Sequence, residues 1–100
     1  MVDIELEMSS GEVINYIKNN VLEFDKVSLA YNRVSAEGDF LGSEESFDNG
    51  KESYTILIAL DGEIISDVVE VDLKEYEDDI IEFTHYPKDD SKKSVYIEVL

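Results

Sequence analysis

The stretch Tyr54–Leu73, YTILIALDGEIISDVVEVDL, constrains this chain more than any other. Two runs of β-branched and aliphatic residues flank Asp61-Gly62. An Asp-Gly pair accepts the positive φ angles of a type I′ turn, whose twist matches that of paired strands. An antiparallel hairpin turning at Asp61-Gly62 is therefore expected. The same stretch opens the densest acidic part of the chain. From Asp61 onward, Glu63, Asp67, Glu70, Asp72, Glu75, Glu77, Asp78, Asp79 and Glu82 stand against Lys74 alone. One element thus carries both sheet core and acidic surface.

Upstream, residues 2–8 alternate Val2, Ile4, Leu6 and Met8 against Asp3, Glu5 and Glu7, the pattern of a half-buried strand with an acidic outer face. The same residues could also extend the helix that follows. Ser9-Ser10-Gly11-Glu12 is a capping box. Beyond it Val13, Ile14, Ile17, Val21 and Leu22 recur at helical spacing, with Tyr16 and Lys18 off the stripe, so a helix is expected from Ser10 to Val21. Lys26–Arg33 alternates Val27, Leu29 and Tyr31 against Ser28, Ala30 and Asn32 and reads as a strand. Residues 34–51 carry Gly38, Gly42 and Gly50 among Ser, Glu and Asp. They read as a long, mobile loop, or as a strand around Gly38–Gly42 followed by a mobile excursion, pinned by Phe40, Leu41 and Phe47.

Two readings compete for residues 72–83. Asp72-x-x-Glu75 matches a second capping box, with Leu73, Tyr76, Ile80 and Phe83 on a helical stripe. Alternatively, Asp79–Tyr86 is a strand that turns through Pro87–Ser91 to pair with Lys93–Leu100. There Ile81, Phe83 and His85 alternate and are answered by Val95, Ile97 and Val99. The hairpin is preferred. The sum is a single α+β domain over residues 1–100, with one N-terminal helix packed on an antiparallel, largely meandering sheet of roughly five to six strands.

Charge narrows the function. Lys and Arg number 8 against 25 Asp and Glu, a net charge of −17. Such a field repels nucleic acid and anionic membranes and draws in basic partners. Lys far outnumbers Arg, and Ile, Asn and Tyr are frequent, a composition that suits an AT-rich genome better than salt adaptation. There are no cysteines, which excludes disulfides and thiolate chemistry. The acidic start MVDIELEM lacks the regions of a signal peptide. No apolar run approaches the roughly 20 residues of a membrane span, so a soluble, cytoplasmic protein is expected.

Site chemistry is thin. Among 25 acids, carboxylate pairs at any spacing arise by chance. Asp48-Asn49-Gly50-Lys51-Glu52 has the flavour of a calcium loop without its spacing. His85 is the one histidine and shares a face with Ile81 and Phe83, the place of a core-edge residue. No G-x-S-x-G elbow, P-loop or G-x-G-x-x-G is present. No catalytic residue, metal ligand or cofactor is expected.

What remains is the acidic surface. Alternate residues on a strand lie about 6.6–6.8 Å apart on one face, comparable to phosphates along a nucleic-acid strand. A folded polyanion can therefore occupy a groove built for DNA or RNA. The expected function is non-enzymatic inhibition of a basic nucleic-acid-handling protein by phosphate mimicry. Asp3, Glu5 and Glu7 would form one row. A second would run through Glu63, Asp67, Glu70, Asp72, Glu75, Glu77, Asp78, Asp79 and Glu82, with exposed Tyr76 as the anchor. In being small, acidic, cysteine-free and α+β, the chain is similar to phage-encoded DNA-mimic inhibitors of uracil-DNA glycosylase, restriction and CRISPR systems. It is similar in the same way to immunity proteins that neutralise basic nucleases. That likeness is one of composition and assigns no residue. The alternative is an accessory domain acting through the 34–51 loop or by self-association, for example as a homodimer through an exposed edge at Val95–Leu100, with the charge serving solubility.

Overall fold

In the computed structural model, which describes residues 2–61 and 67–100, the Ser9 capping box forms as its residues dictate. The Glu12 N–H donates to Ser9 Oγ at 3.3 Å, and the Ser9 N–H donates to Glu12 Oε1 at 3.1 Å. Helix α1 then runs Ser10–Asn20 and buries Val13, Ile14 and Ile17. Two assignments on its stripe change. Tyr16 is half-buried against the core, and Leu22, beyond the C-cap Val21, is exposed.

The strands are β1 (Ile4–Met8), β2 (Lys26–Tyr31), β3 (Val34–Asp48), β4 (Lys51–Leu60), β5 (Val68–Asp72), β6 (Ile80–Tyr86) and β7 (Val95–Val99). They form a 7-stranded sheet in the order β1-β7-β6-β2-β3-β4-β5. The α+β class and the N-terminal helix stand, and β2 through β5 meander as expected. The strand number is higher, and the sheet is mixed, because β1 pairs with β7 in parallel, Ile4 opposite Val95 and Met8 opposite Val99. The cause is α1. A helix between β1 and β2 carries the chain over one face of the sheet, so β1 returns parallel to β2 with the β6–β7 hairpin between them. The expected edge at Val95–Leu100 is therefore interior, since β7 lies between β1 and β6.

Segment 34–51, expected as a loop or as a strand around Gly38–Gly42 with an excursion beyond it, is mostly strand. Val34–Asp39 pair with β2, and the chain continues to Asp48 against β4. A bulge at Leu41 shifts the register between Phe40 and Gly42, so the inward residues change from Ala36 and Phe40 to Ser43 and Glu45. The turn closing this pair is Asn49-Gly50, with φ of 52° and 78°, between paired Asp48 and Lys51. Those are type I′ angles. Alanine at Gly50 would meet no atom within 4 Å, so its cost is backbone conformation alone. Gly50→Ala is expected to destabilise by about 1 kcal/mol, lowering a calorimetric Tm by about 4–8 °C.

The β4–β5 hairpin forms, and the turn expected at Asp61-Gly62 falls partly outside the described residues. Residues 62–66 lie outside the described residues, and the strands on either side are registered four residues away from what a two-residue turn would set. Ile56 pairs with Val71, Ile58 with Val69 and Ala59 with Val68, and the Leu60 N–H donates to the Asp67 carbonyl. A turn at Asp61-Gly62 would have set Asp67 opposite buried Ile56. The observed pairing gives that place to Val71, which is itself buried.

Asp72 caps no helix. Its Oδ1 accepts from the N–H groups of Tyr54 and Lys74, and the chain crosses to β6 with only a short 3-10 turn at Glu77–Asp79. Distance explains the failure of the helical reading. From β5 to β6 is four inter-strand spacings, about 19 Å, while seven helical residues span about 10 Å. The β6–β7 hairpin is as expected, with Phe83 opposite Ile97 and His85 opposite Val95. One face assignment changes. A register shift at Ala30/Tyr31 turns Ile80 inward and leaves Ile81 exposed.

Candidate functional site: an acidic sheet face

The core cluster joins α1 to alternate strand residues, among them Val27, Leu29, Ile56, Ile58, Phe83 and Ile97. The helix thus covers one face, and the intervening residues of each strand belong to the other. Register sets three carboxylates side by side on that outer face. Glu7 is opposite Glu98, and Glu98 is opposite Glu82. One step along, Glu5 is opposite Tyr96, and Tyr96 is opposite Thr84. Directly opposed like charges on neighbouring strands destabilise a sheet. This sheet places three in succession.

Tyr96 stands beside the row, two residues before Glu98 on β7. Its hydroxyl donates to Glu82 Oε2 at 2.7 Å. That bond, with desolvation and the fields of Glu82, Glu98 and Glu5, pushes its pKa up to about 12. It therefore remains a neutral donor at physiological pH. Further across, β3 points Glu37 and Asp39 outward beside Lys26, which is held by Asp61 at 3.1 Å. Glu70 is exposed on the outer face of β5. Pairs such as Glu5/Glu7 and Glu37/Asp39 repeat along their strands at about 6.6–6.8 Å.

The expected contact residues are not brought into one row. Glu63 lies outside the described residues. Asp67, just before β5, and Glu70, on it, are exposed at one edge, and half-buried Asp72 is engaged with backbone N–H groups. Glu75, Asp78 and Asp79 are exposed on the crossover, and Glu77 approaches Lys74 at 3.9 Å. Tyr76 is no exposed anchor. It is half-buried, its ring 5.1 Å from that of Tyr31. Glu82 alone of the set joins Glu5 and Glu7, and Asp3 turns aside to accept from Ser94. Glu98 escaped the sequence reading, although the terminal hairpin, once registered, sets it opposite Glu82.

A second constellation lies on the inner face. His85 is buried, its Nε2 2.7 Å from Asp25 Oδ2 and its Nδ1 2.8 Å from the Tyr16 hydroxyl. Asp25, buried too, also accepts from the N–H groups of Leu22 and Lys88. Burial opposes ionisation of Asp25, but the hydrogen bonds from Lys88, His85 and Leu22 together hold its pKa below the usual value. Tyr16 is pushed up to about 12 by burial and by the charge of Asp25. With Asp25 ionised and able only to accept, His85 donates to it through Nε2–H. Both ring nitrogens are occupied and the tyrosine is far from ionising. The arrangement ties α1, the Val21–Asp25 loop and β6 together and leaves neither a free base nor an activated nucleophile. Among the described residues no group of three His, Asp or Glu side chains is disposed to hold a metal ion. Nor is any described helix long and apolar enough to cross a membrane.

Fold and surface together define an acidic α+β protein, one helix on a mixed seven-stranded sheet whose open face carries in-register carboxylates. The chain belongs to the family described as uncharacterized protein conserved in archaea (DUF2097), whose model matches residues 4–97. No curated protein and no solved structure matches the chain significantly.

Proposed function

We propose that this chain is a non-enzymatic binding protein that blocks a basic, nucleic-acid-handling partner, its outer sheet face standing where phosphates would lie. The observation that carries this reading is the row Glu7, Glu98 and Glu82, in register across β1, β7 and β6. A sheet arranges charge in two directions, about 4.8 Å between strands and about 6.7 Å along them. A groove lined with Lys and Arg meets that array much as it meets a nucleic-acid backbone. The same release of bound ions favours the complex. Tyr96, held by Glu82, offers an aromatic body beside the row, the kind of residue on which interface energy concentrates. The net charge of −17 speeds the encounter and excludes nucleic acid itself as the ligand. Inhibition of the kind exerted by immunity proteins or anti-defence proteins fits this chemistry.

The test begins with the intact protein immobilised at low salt and challenged with lysate of its own archaeal source. Stoichiometric retention of one nucleic-acid enzyme, released only at high salt, is the expected result. A broad set of ribosomal proteins released together at modest salt would reduce the surface to nonspecific charge.

A further inference from the structure

Beyond the acidic face, the β3–β4 ribbon carries a backbone edge that nothing among the described residues covers. Pairing of β3 with its neighbour on the β2 side ends at Phe40, whose N–H and carbonyl bond to Asp25 and Phe24. The strand nonetheless continues to Asp48, against β4 alone. Which groups face the open side follows from the turn. In a two-residue hairpin the closing pair, here Asp48 and Lys51, is hydrogen-bonded, and bonded and non-bonded pairs then alternate. Phe47, Glu45 and Ser43 therefore direct their N–H and carbonyl groups away from β4. A second observation agrees. The Tyr54 carbonyl accepts from the Leu73 N–H, so it points away from β3, as must the groups of its partner Glu45.

We propose that this edge, Ser43–Asp48, takes an extended basic peptide segment as an eighth strand. Main-chain bonds from Ser43, Glu45 and Phe47 would supply affinity, and alternating side chains would supply selectivity. Charge complementarity names the occupant: Glu44 and Asp48 line the edge and are exposed, beside Glu45, which Lys18 already holds at 3.1 Å. Phe47, 72% exposed, gives an apolar neighbour on the inner side. A cleft of about 300 Å³ on that side, lined by Lys18, Glu45, Phe47, Glu52, Tyr54 and Lys74, leaves room for a side chain of the added strand. A second copy of this chain fits poorly, since it would set like charges opposite one another. The surface is separate from the Glu7–Glu98–Glu82 row, and its occupancy does not depend on phosphate mimicry.

The probe is a capped octapeptide of alternating lysine and valine, followed by amide hydrogen exchange on the intact protein. Peptide is expected to slow exchange at Ser43, Glu45 and Phe47. Ser43→Pro, which removes one edge N–H at a site where an edge strand tolerates proline, is expected to weaken binding about tenfold. Ser43→Ala should bind as the parent does. Peptide-induced shifts confined to the outer face, with no protection at these three amides, would overturn the assignment. So would edge protection that grows with protein concentration in the absence of peptide, which would make the occupant a second copy. The exchange measurement needs no variant, so a misfolded Ser43→Pro protein would leave the assignment open to refutation.

Discussion

Replacing Asp25 with alanine is expected to lower the free energy of unfolding by about 3–5 kcal/mol, since three N–H donors lose their acceptor at about 1–3 kcal/mol apiece. The loss has three sources. His85 Nε2 is left without its acceptor, and the N–H groups of Leu22 and Lys88 lose theirs. The turn into β2 and the end of β6 lose the polar contacts that Asp25 supplies, while the Tyr16–His85 bond between α1 and β6 is left in place. Urea denaturation at neutral pH measures the loss.

The pH dependence carries the same signature. The folded pKa of Asp25 is depressed below the usual carboxylate value. Its contribution is therefore present above about pH 4 and is lost as pH falls through the folded value. Asp25→Ala should accordingly show a shallower fall of stability with acid than the parent. A parallel fall would place the acid-labile contact elsewhere.

The second large effect concerns binding. Reversal of Glu7, Glu82 and Glu98 to lysine is expected to weaken the basic partner at least about a hundredfold, with the fold retained. These side chains bury no core, and three lysines repel one another across the row much as the three carboxylates do. The comparison that isolates geometry from net charge is reversal of Glu75, Asp78 and Asp79. These lie on the crossover between β5 and β6, away from the row, and their reversal changes the net charge equally. It should weaken binding mainly through the encounter rate and should respond strongly to salt. Equal losses from the two triple variants, in rate and in affinity, would mean that the partner reads total charge.

Much of this architecture is legible in local chemistry. Ser9 and Glu12 fix the start of α1, and the alternation in residues 80–86 and 95–99 fixes the terminal hairpin, because in each case the signal and the structure span a few adjacent residues. The failures share a cause of the opposite kind. Asp61-Gly62 is sound turn chemistry, yet the strands are registered by buried Val71 opposite Ile56 and half-buried Val69 opposite Ile58. Asn49-Gly50 carries equally sound turn chemistry in a stretch that three glycines and many polar residues disguise as a loop. Its strands are polar because the ribbon extends past the core, with no apolar alternation to read. The acidic row is only half legible. Glu5, Glu7 and Glu82 stand out as charges, but their meeting depends on a parallel β1–β7 pairing between the two ends of the chain, which no local pattern encodes.

The most direct test of the account is competition. Labelled duplex DNA or RNA bound to the captured partner is titrated with this protein, and the bound nucleic acid is read by fluorescence anisotropy at fixed salt. Mimicry requires mutually exclusive occupancy: full displacement at stoichiometric protein, lost in the Glu7/Glu82/Glu98 reversal. A stable ternary complex, with nucleic acid and this protein held together on the partner, would contradict it.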